Sequence, residues 1–149
     1  MSSPQLLNFN VPVQGLTSSQ EDLTGYEGRF VILDGNSLVD VASLTDQPTT
    51  QGLVCLGVLQ RGADTDVVGG CEVVDAGFTN MIVGTGGVSK GDILVPEWAA
   101  SGTDRGRAIS PASPITGQFY HAIAKEDGVE DATIRVEIRL NTPLPYEPA

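Results

Sequence analysis

Polar and apolar residues alternate without a break over residues 133–140. The apolar positions are Ile134, Val136, Ile138 and Leu140, and the polar positions are Thr133, Arg135, Glu137 and Arg139. This period of two directs one set of side chains into a core and the other into water, whereas a helix would spread both sets around its circumference. The segment is rich in β-branched residues and predicts the closing strand of an antiparallel sheet or barrel.

Shorter apolar runs upstream predict further strands. Residues 28–33 and 38–43 flank Asp34-Gly35, a turn dipeptide, and predict a hairpin. The nearly continuous apolar run 52–59 predicts a central strand buried on both faces. Short strands are also expected within 71–84 (two strands), 93–95, 107–109 and 119–126. The pattern therefore predicts an all-β fold, a single small antiparallel β-barrel or sandwich of about nine short strands.

Both ends of the chain differ from this predicted β domain, which covers residues 22–140. Residues 1–21 form either the first strand of the domain or an extended N-terminal arm that adds to the sheet edge of a neighbouring subunit. The apolar residues that such an arm would use for binding are Leu6, Leu7, Phe9, Val11 and Val13. Residues 141–149 contain three prolines and predict an extended C-terminal tail, with Tyr146 as a candidate anchor.

The charge of the chain limits its partners. There are 19 acidic and 8 basic residues, which give a net charge of −11. Such a surface repels phosphate backbones, and no basic patch along the sequence offsets it, so nucleic acid is not an expected partner. No signal peptide is visible and no apolar run approaches the length of a membrane span, so no membrane association is expected.

The residues that most often carry catalysis are few. His121, the one histidine, lies in a predicted strand, where a structural role is favoured over that of a general base. Cys55 and Cys71 lie in apolar surroundings typical of buried free thiols, with a disulfide as the alternative. Trp98 lies in a predicted loop, either as an anchor over the core or as an interface contact.

No metal or cofactor motif is recognisable. Asp64 and Asp66 share a loop but lack the glycine and glutamate positions of an EF-hand. The glycines of residues 84–91 do not form a phosphate-binding loop, because Lys90 precedes Gly91 and no helix is predicted after them. We therefore expect no enzyme activity, no metal and no cofactor.

The second half of the chain resembles the small capsid cement (decoration) proteins of tailed phages. The shared order begins with a G-x-V-x-x-G-D-x-[LV] turn and strand and ends with an alternating strand. The matching segments are Gly86 to Leu94, Glu97 to Gly106, Arg107 to Ile109, Gly117 to Gly128 and Thr133 to Leu140. With Gly28 to Asp34 and Leu53 to Gly62 included, the resemblance covers residues 24–140. Biotinyl and lipoyl carriers share the turn, but their M-K-M-like or D-K-A-like lysine turn is missing here.

The resemblance implies a non-catalytic protein on the outer surface of a virion. It would bind the lattice of an HK97-like major capsid protein, form a homotrimer and stabilise the head. The terminal arm residues, Trp98 and Tyr146 would then contact the capsid or a neighbouring subunit, and deletion of residues 1–14 is expected to abolish binding but leave the fold intact. Two alternatives remain: another virion β protein, such as a head fibre base or a receptor-binding knob, and a trimeric dUTPase-like β hydrolase.

Overall fold

The computed structural model of the chain describes residues 13–19, 21–33, 38–41, 54–97, 99, 102–111 and 119–143. These residues form ten strands: β1 (Val13–Ser18), β2 (Phe30–Leu33), β3 (Leu38–Val41), β4 (Gly57–Arg61), β5 (Cys71–Val74), β6 (Phe78–Ile82), β7 (Ile93–Pro96), β8 (Ala108–Ile109), β9 (Phe119–Ala124) and β10 (Thr133–Pro143). The predicted all-β class is confirmed, with ten strands in place of about nine. The described part of the chain contains no helix that could span a membrane.

The first five strands close into a barrel in the order β1-β3-β2-β4-β5. β2 pairs with β3 and β4 with β5 as antiparallel neighbours, and β2 also pairs with β4. β1 closes the ring: it is antiparallel to β5, with Leu16 opposite Cys71, but parallel to β3, with Thr17 opposite Leu38. The parallel pair departs from the purely antiparallel prediction. It is possible because β1 and β3 are separated in sequence by β2, which supplies the crossover that parallel neighbours need.

β1 lies within the segment for which the sequence left two interpretations open. Over Val13–Ser18 the structure shows a strand of the barrel, and residues 1–12 lie outside the described residues. The predicted buried strand at 52–59 starts later in the structure, at Gly57. Gly57 passes so close to β5 that a Cβ on it would lie 2.4 Å from the carbonyl oxygen of Val74, so only glycine fits there.

The other five strands form a second sheet in the order β6-β10-β9-β7-β8. β10 lies between β6 and β9, and its alternation is confirmed: Ile134, Val136 and Ile138 are buried, whereas the residues between them face outward. β10 runs to Pro143, beyond the predicted end at residue 140. The extension contains a bulge between Ile138 and Thr142, where Asn141 has a φ of 56°.

Two clusters of buried side chains form the core. One fills the barrel and contains Leu16, Leu23, Tyr26, Val31, Leu59, Cys71 and Val73. The other joins the barrel to the second sheet, because Phe30, Cys55, Val58 and Val74 pack with sheet residues such as Leu94. Cys55 and Cys71 are buried free thiols in different clusters, so the disulfide alternative is wrong.

Candidate functional site

Most of the predicted binding residues lie outside the described part of the chain. These are Leu6, Leu7, Phe9, Val11, Trp98 and Tyr146. Val13 is the first residue of β1, where its backbone is opposite Val73. The structure does describe the base of the loop that carries Trp98, together with much of its surroundings.

That loop, residues 97–107, connects β7 to β8 and is closed at its base by backbone hydrogen bonds. The Glu97 N–H donates to the Arg107 carbonyl at 2.8 Å, and the Gly106 N–H donates to the Glu97 carbonyl at 2.9 Å. The two described ends of this segment therefore pair like the end of a hairpin.

A buried guanidinium lies beside this base. Arg107 is 2% exposed, and its Nε donates to Oε1 of Glu97 at 2.8 Å. Its Nη1 donates to Oδ1 of Asp131 at 2.5 Å, and Asp104 and Glu130 lie within 4 Å. Thr85 completes the arrangement by donating from Oγ1 to Oε2 of Glu97 at 2.6 Å. We call these six residues the Arg107 cluster.

The electrostatics of the Arg107 cluster keep its centre charged. Burial tends to lower the pKa of Arg107, but the hydrogen bond and charge of Glu97, with help from Asp104 and Asp131, outweigh burial and raise it. The guanidinium thus holds together the turn at residue 85, the 97–107 loop and the turn at 130–131. This arrangement can hold loops rigidly, because one buried guanidinium pairs with carboxylates from different loops.

Two more arginines attach the same loop to the barrel. Nη2 of Arg105 donates to Oε1 of Glu21 at 2.6 Å and to the hydroxyl of Tyr26 at 2.8 Å. Nη2 of Arg29 donates to the Thr103 carbonyl at 2.8 Å. The described residues 102–107 are therefore held from the sheet side and from the barrel side.

The glycine-rich turns at residues 84–92 border an open cleft of about 470 Å³. The backbone N–H groups that a phosphate would need already have partners: Val88 N–H donates to the Gly128 carbonyl, Ser89 N–H to Asp92 and Lys90 N–H to Asp127. The prediction that this stretch is no phosphate-binding loop agrees with these contacts.

His121 connects the sheet to the barrel. It is 1% exposed, its ring packs edge-on against Phe30 with centroids 5.6 Å apart, and its Nδ1 accepts a hydrogen bond from the Asn141 N–H at 3.0 Å. The Asn141 side chain in turn accepts from the Cys55 N–H at 2.9 Å and donates to the Cys55 carbonyl at 3.2 Å. We call His121, Asn141 and Cys55 the His121 connection.

Burial favours the neutral forms of this histidine and of the thiols. It lowers the pKa of His121 to about 4 and raises the pKa values of Cys55 and Cys71. Within the described ranges, no group of three or more His, Cys, Asp or Glu side chains could hold a metal ion.

The sequence reasoning missed the Arg107 cluster. The available signal was Arg107 itself, a charged residue directly before the apolar pair Ala108-Ile109 in a two-residue strand. Nothing in the sequence shows that Thr85, Glu97 and Asp131 meet around it, because these residues come together only when the segment after β6 pairs with β8 through the Val83–Ala108 bridge.

Comparison with known proteins gives a fold match. No family model and no curated protein matches the chain. Among solved structures, the N base of head fiber gp8.5 in bacteriophage phi29 is similar, with a TM-score of 0.58 and 16% sequence identity over 91% of this chain and 98% of that chain. The chain thus shares its fold with nearly the whole of that head fiber base.

Proposed function

We propose that this chain is a non-catalytic structural protein on the outer surface of a tailed-phage head, where it acts as the base of a head fibre. The observation that carries the proposal is the fold likeness to the phi29 head fiber base, which covers nearly all of both chains. A head fibre base was one of the functions that the sequence left open.

The contacts around the reactive side chains support a role without catalysis. The Nδ1 atom of His121 is occupied by the Asn141 N–H, and the thiols of Cys55 and Cys71 are buried with raised pKa values. A general base or thiolate nucleophile needs the opposite properties, which are access to substrate and a pKa near neutrality. The dUTPase-like alternative is not favoured either, because the sequence contains no recognisable uracil-pocket or metal-binding motif of that family.

The second candidate is a capsid cement protein, and the order of motifs over residues 24–140 favours it. Both candidates bind the outside of a head, and in both we propose an HK97-like major capsid protein as partner and a homotrimer as the assembly. They differ in one property: a cement protein strengthens the lattice, whereas a fibre base only needs to be attached to it.

The test is co-sedimentation of the purified chain with expanded, undecorated phage heads, with its mass measured by light scattering. Saturable binding at a fixed ratio to the major capsid protein is the expected result, and an absence of binding overturns the proposal. The temperature at which the heads rupture then separates the candidates. A fibre base leaves it unchanged, whereas a rise in it at saturation assigns the chain as cement.

A truncation tests the contribution of the N-terminal segment. Deletion of residues 1–14 would also remove Val13 and Gln14 of β1, so the structure calls for a deletion that stops at residue 12. We expect the 1–12 deletion to lose head binding and to keep the unfolding transition of the full chain. Unimpaired binding by this variant would show that the apolar residues Leu6, Leu7, Phe9 and Val11 are not the anchor.

A further inference from the structure

The outward side of the second sheet collects cations that are dispersed along the sequence. Glu137 on β10 is directly opposite Phe78 on β6 and Ile123 on β9, and directly opposite residues share one face. Arg135 and Arg139 lie two residues to either side of Glu137 and face the same way. Lys125 reaches this face from the end of β9, with its Nζ 2.9 Å from Oε1 of Glu137. We call these six residues the outer sheet face.

The charge of the outer sheet face is opposite to that of the chain. It carries three cations and one carboxylate, whereas the chain as a whole has a net charge of −11. Lys125 and Arg139 share that one carboxylate, since the Arg139 Nε lies 2.7 Å from Oε2 of Glu137. Arg135 forms no ion pair with the part of the chain that the structure describes. The alternation of β10 places Arg135 and Arg139 on one face, and the pairing of β9 with β10 adds Lys125 to it.

The face also offers apolar contact area between its charges. Phe78 and Ile123 are half-buried, and the Arg135 guanidinium lies over the Phe78 ring at 5.2 Å from the centroid. A cleft of about 240 Å³ adjoins the face at its β6 side, where Asn80 and Ile82 meet Leu59 of the barrel. Apolar side chains with arginines between them are typical of the central part of protein–protein interfaces.

From this geometry we infer that the outer sheet face is the surface that docks onto an acidic protein surface of the phage head. Charge complementarity points to the occupant: the face holds three cations and one carboxylate, and only Lys125 and Arg139 pair with it, so positive charge is left for carboxylates of a partner. Such attraction also orients an otherwise acidic protein, because the rest of its surface is repelled by the same partner. The inference rests on the proposed function and specifies which side of the chain meets the head.

The test compares two double variants with the same change in net charge. Arg135→Glu/Arg139→Glu reverses the face, and Arg61→Glu/Lys90→Glu reverses two exposed cations elsewhere. In co-sedimentation with empty heads at low salt, we expect the face variant to bind at least about tenfold more weakly, the control to bind like the wild type, and wild-type binding to weaken with added salt. Arg135→Gln/Arg139→Gln removes the charge without reversing it. Its affinity for heads should lie between that of the wild type and that of the Arg135→Glu/Arg139→Glu variant. Circular dichroism of each variant checks the fold.

The outcomes separate the inference from the function. If the wild type binds heads, and the Arg135→Glu/Arg139→Glu variant binds them as well as the Arg61→Glu/Lys90→Glu control does, the inference is wrong and the proposed function stands. If the wild type does not bind heads, both fail. Two further measurements test other occupants: a loss of self-association in the face variant would assign the face to a second copy of the chain, and tight wild-type binding to a duplex oligonucleotide would assign it to nucleic acid. Either result overturns the inference.

Discussion

The Arg107 cluster and the His121 connection are both buried polar regions that link distant segments, yet burial affects their central residues in opposite ways. Arg107 is buried with Glu97 at 2.8 Å, and its pKa is raised. His121 is buried against Phe30 with one neutral hydrogen bond, and its pKa is lowered to about 4. Burial disfavours charge in both places, and the presence or absence of a carboxylate partner decides the protonation state.

The two regions also hold different parts of the molecule together. The Arg107 cluster fixes the segments that follow β6, follow β7 and precede β10. The His121 connection joins β9 and β10 to Cys55, which precedes β4 of the barrel. The first therefore stabilises a loop surface, and the second stabilises the junction of barrel and sheet.

The largest change in the free energy of unfolding is expected from the substitution Arg107→Met. The substitution leaves the buried Glu97 carboxylate without its cation, which should lower the free energy of unfolding by about 3–5 kcal/mol. Urea denaturation measures it. The control is Arg61→Met at an exposed ion pair, where a loss below about 1 kcal/mol is expected. The double variant Arg107→Met/Glu97→Leu should recover much of the loss, and equal stability of Arg107→Met and wild type would contradict the role of the cluster.

An intermediate effect is expected from pH at His121. The pKa of the folded state, about 4, is below the ordinary value of 6.5, so between these pH values the unfolded chain binds a proton that the folded chain does not. The free energy of unfolding therefore falls as the pH is lowered from 6.5 to about 4. The neutral His121 side chain accounts for a loss of about 3 kcal/mol over this range.

The variant His121→Asn isolates that contribution. Its amide oxygen can accept the Asn141 N–H but does not titrate in this range. We expect the difference in unfolding free energy between wild type and His121→Asn to change with pH between 6.5 and 4 in favour of the variant. Parallel stability curves over that range would show that His121 titrates alike in both states.

The smallest effect is expected from Asn141→Gly. Glycine adopts the positive φ of 56° without strain but removes both hydrogen bonds to the Cys55 backbone, for an expected loss of about 1–2 kcal/mol. Asn141→Ala should lose about 1 kcal/mol more, because alanine is strained in the left-handed region. Thermal unfolding of both variants measures the difference, and an alanine variant as stable as the glycine variant would contradict the backbone argument.

Local patterns predicted the second sheet better than the barrel. The alternation around Val136 identified β10, and the flanking turns identified β9, because hairpin neighbours lie close in sequence. The barrel is closed by β1, whose partners β3 and β5 are remote in sequence. No local signal shows that Leu16 will lie opposite Cys71, and so β1 remained an open alternative between strand and arm.

The candidate site was even less predictable than the fold. Trp98 and the terminal apolar residues were each predicted from their own segment of the sequence. The Arg107 cluster and the outer sheet face combine residues from different strands and loops. Arg135 and Arg139 share a face of β10 by sequence alternation, but only the register of β9 against β10 brings Lys125 to the same charged surface.

By itself, the sequence determined the all-β class and the faces of β10, since these follow from the period of two, and it favoured free thiols at Cys55 and Cys71 and a structural role for His121 from their apolar neighbours in the chain. The tertiary structure alone decided the closure of the barrel through β1, the partners of Arg107 and the gathering of cations on an acidic protein. The physical reason is that side-chain direction is a local property of the backbone, whereas ion pairs and charged surfaces depend on which distant segments become neighbours.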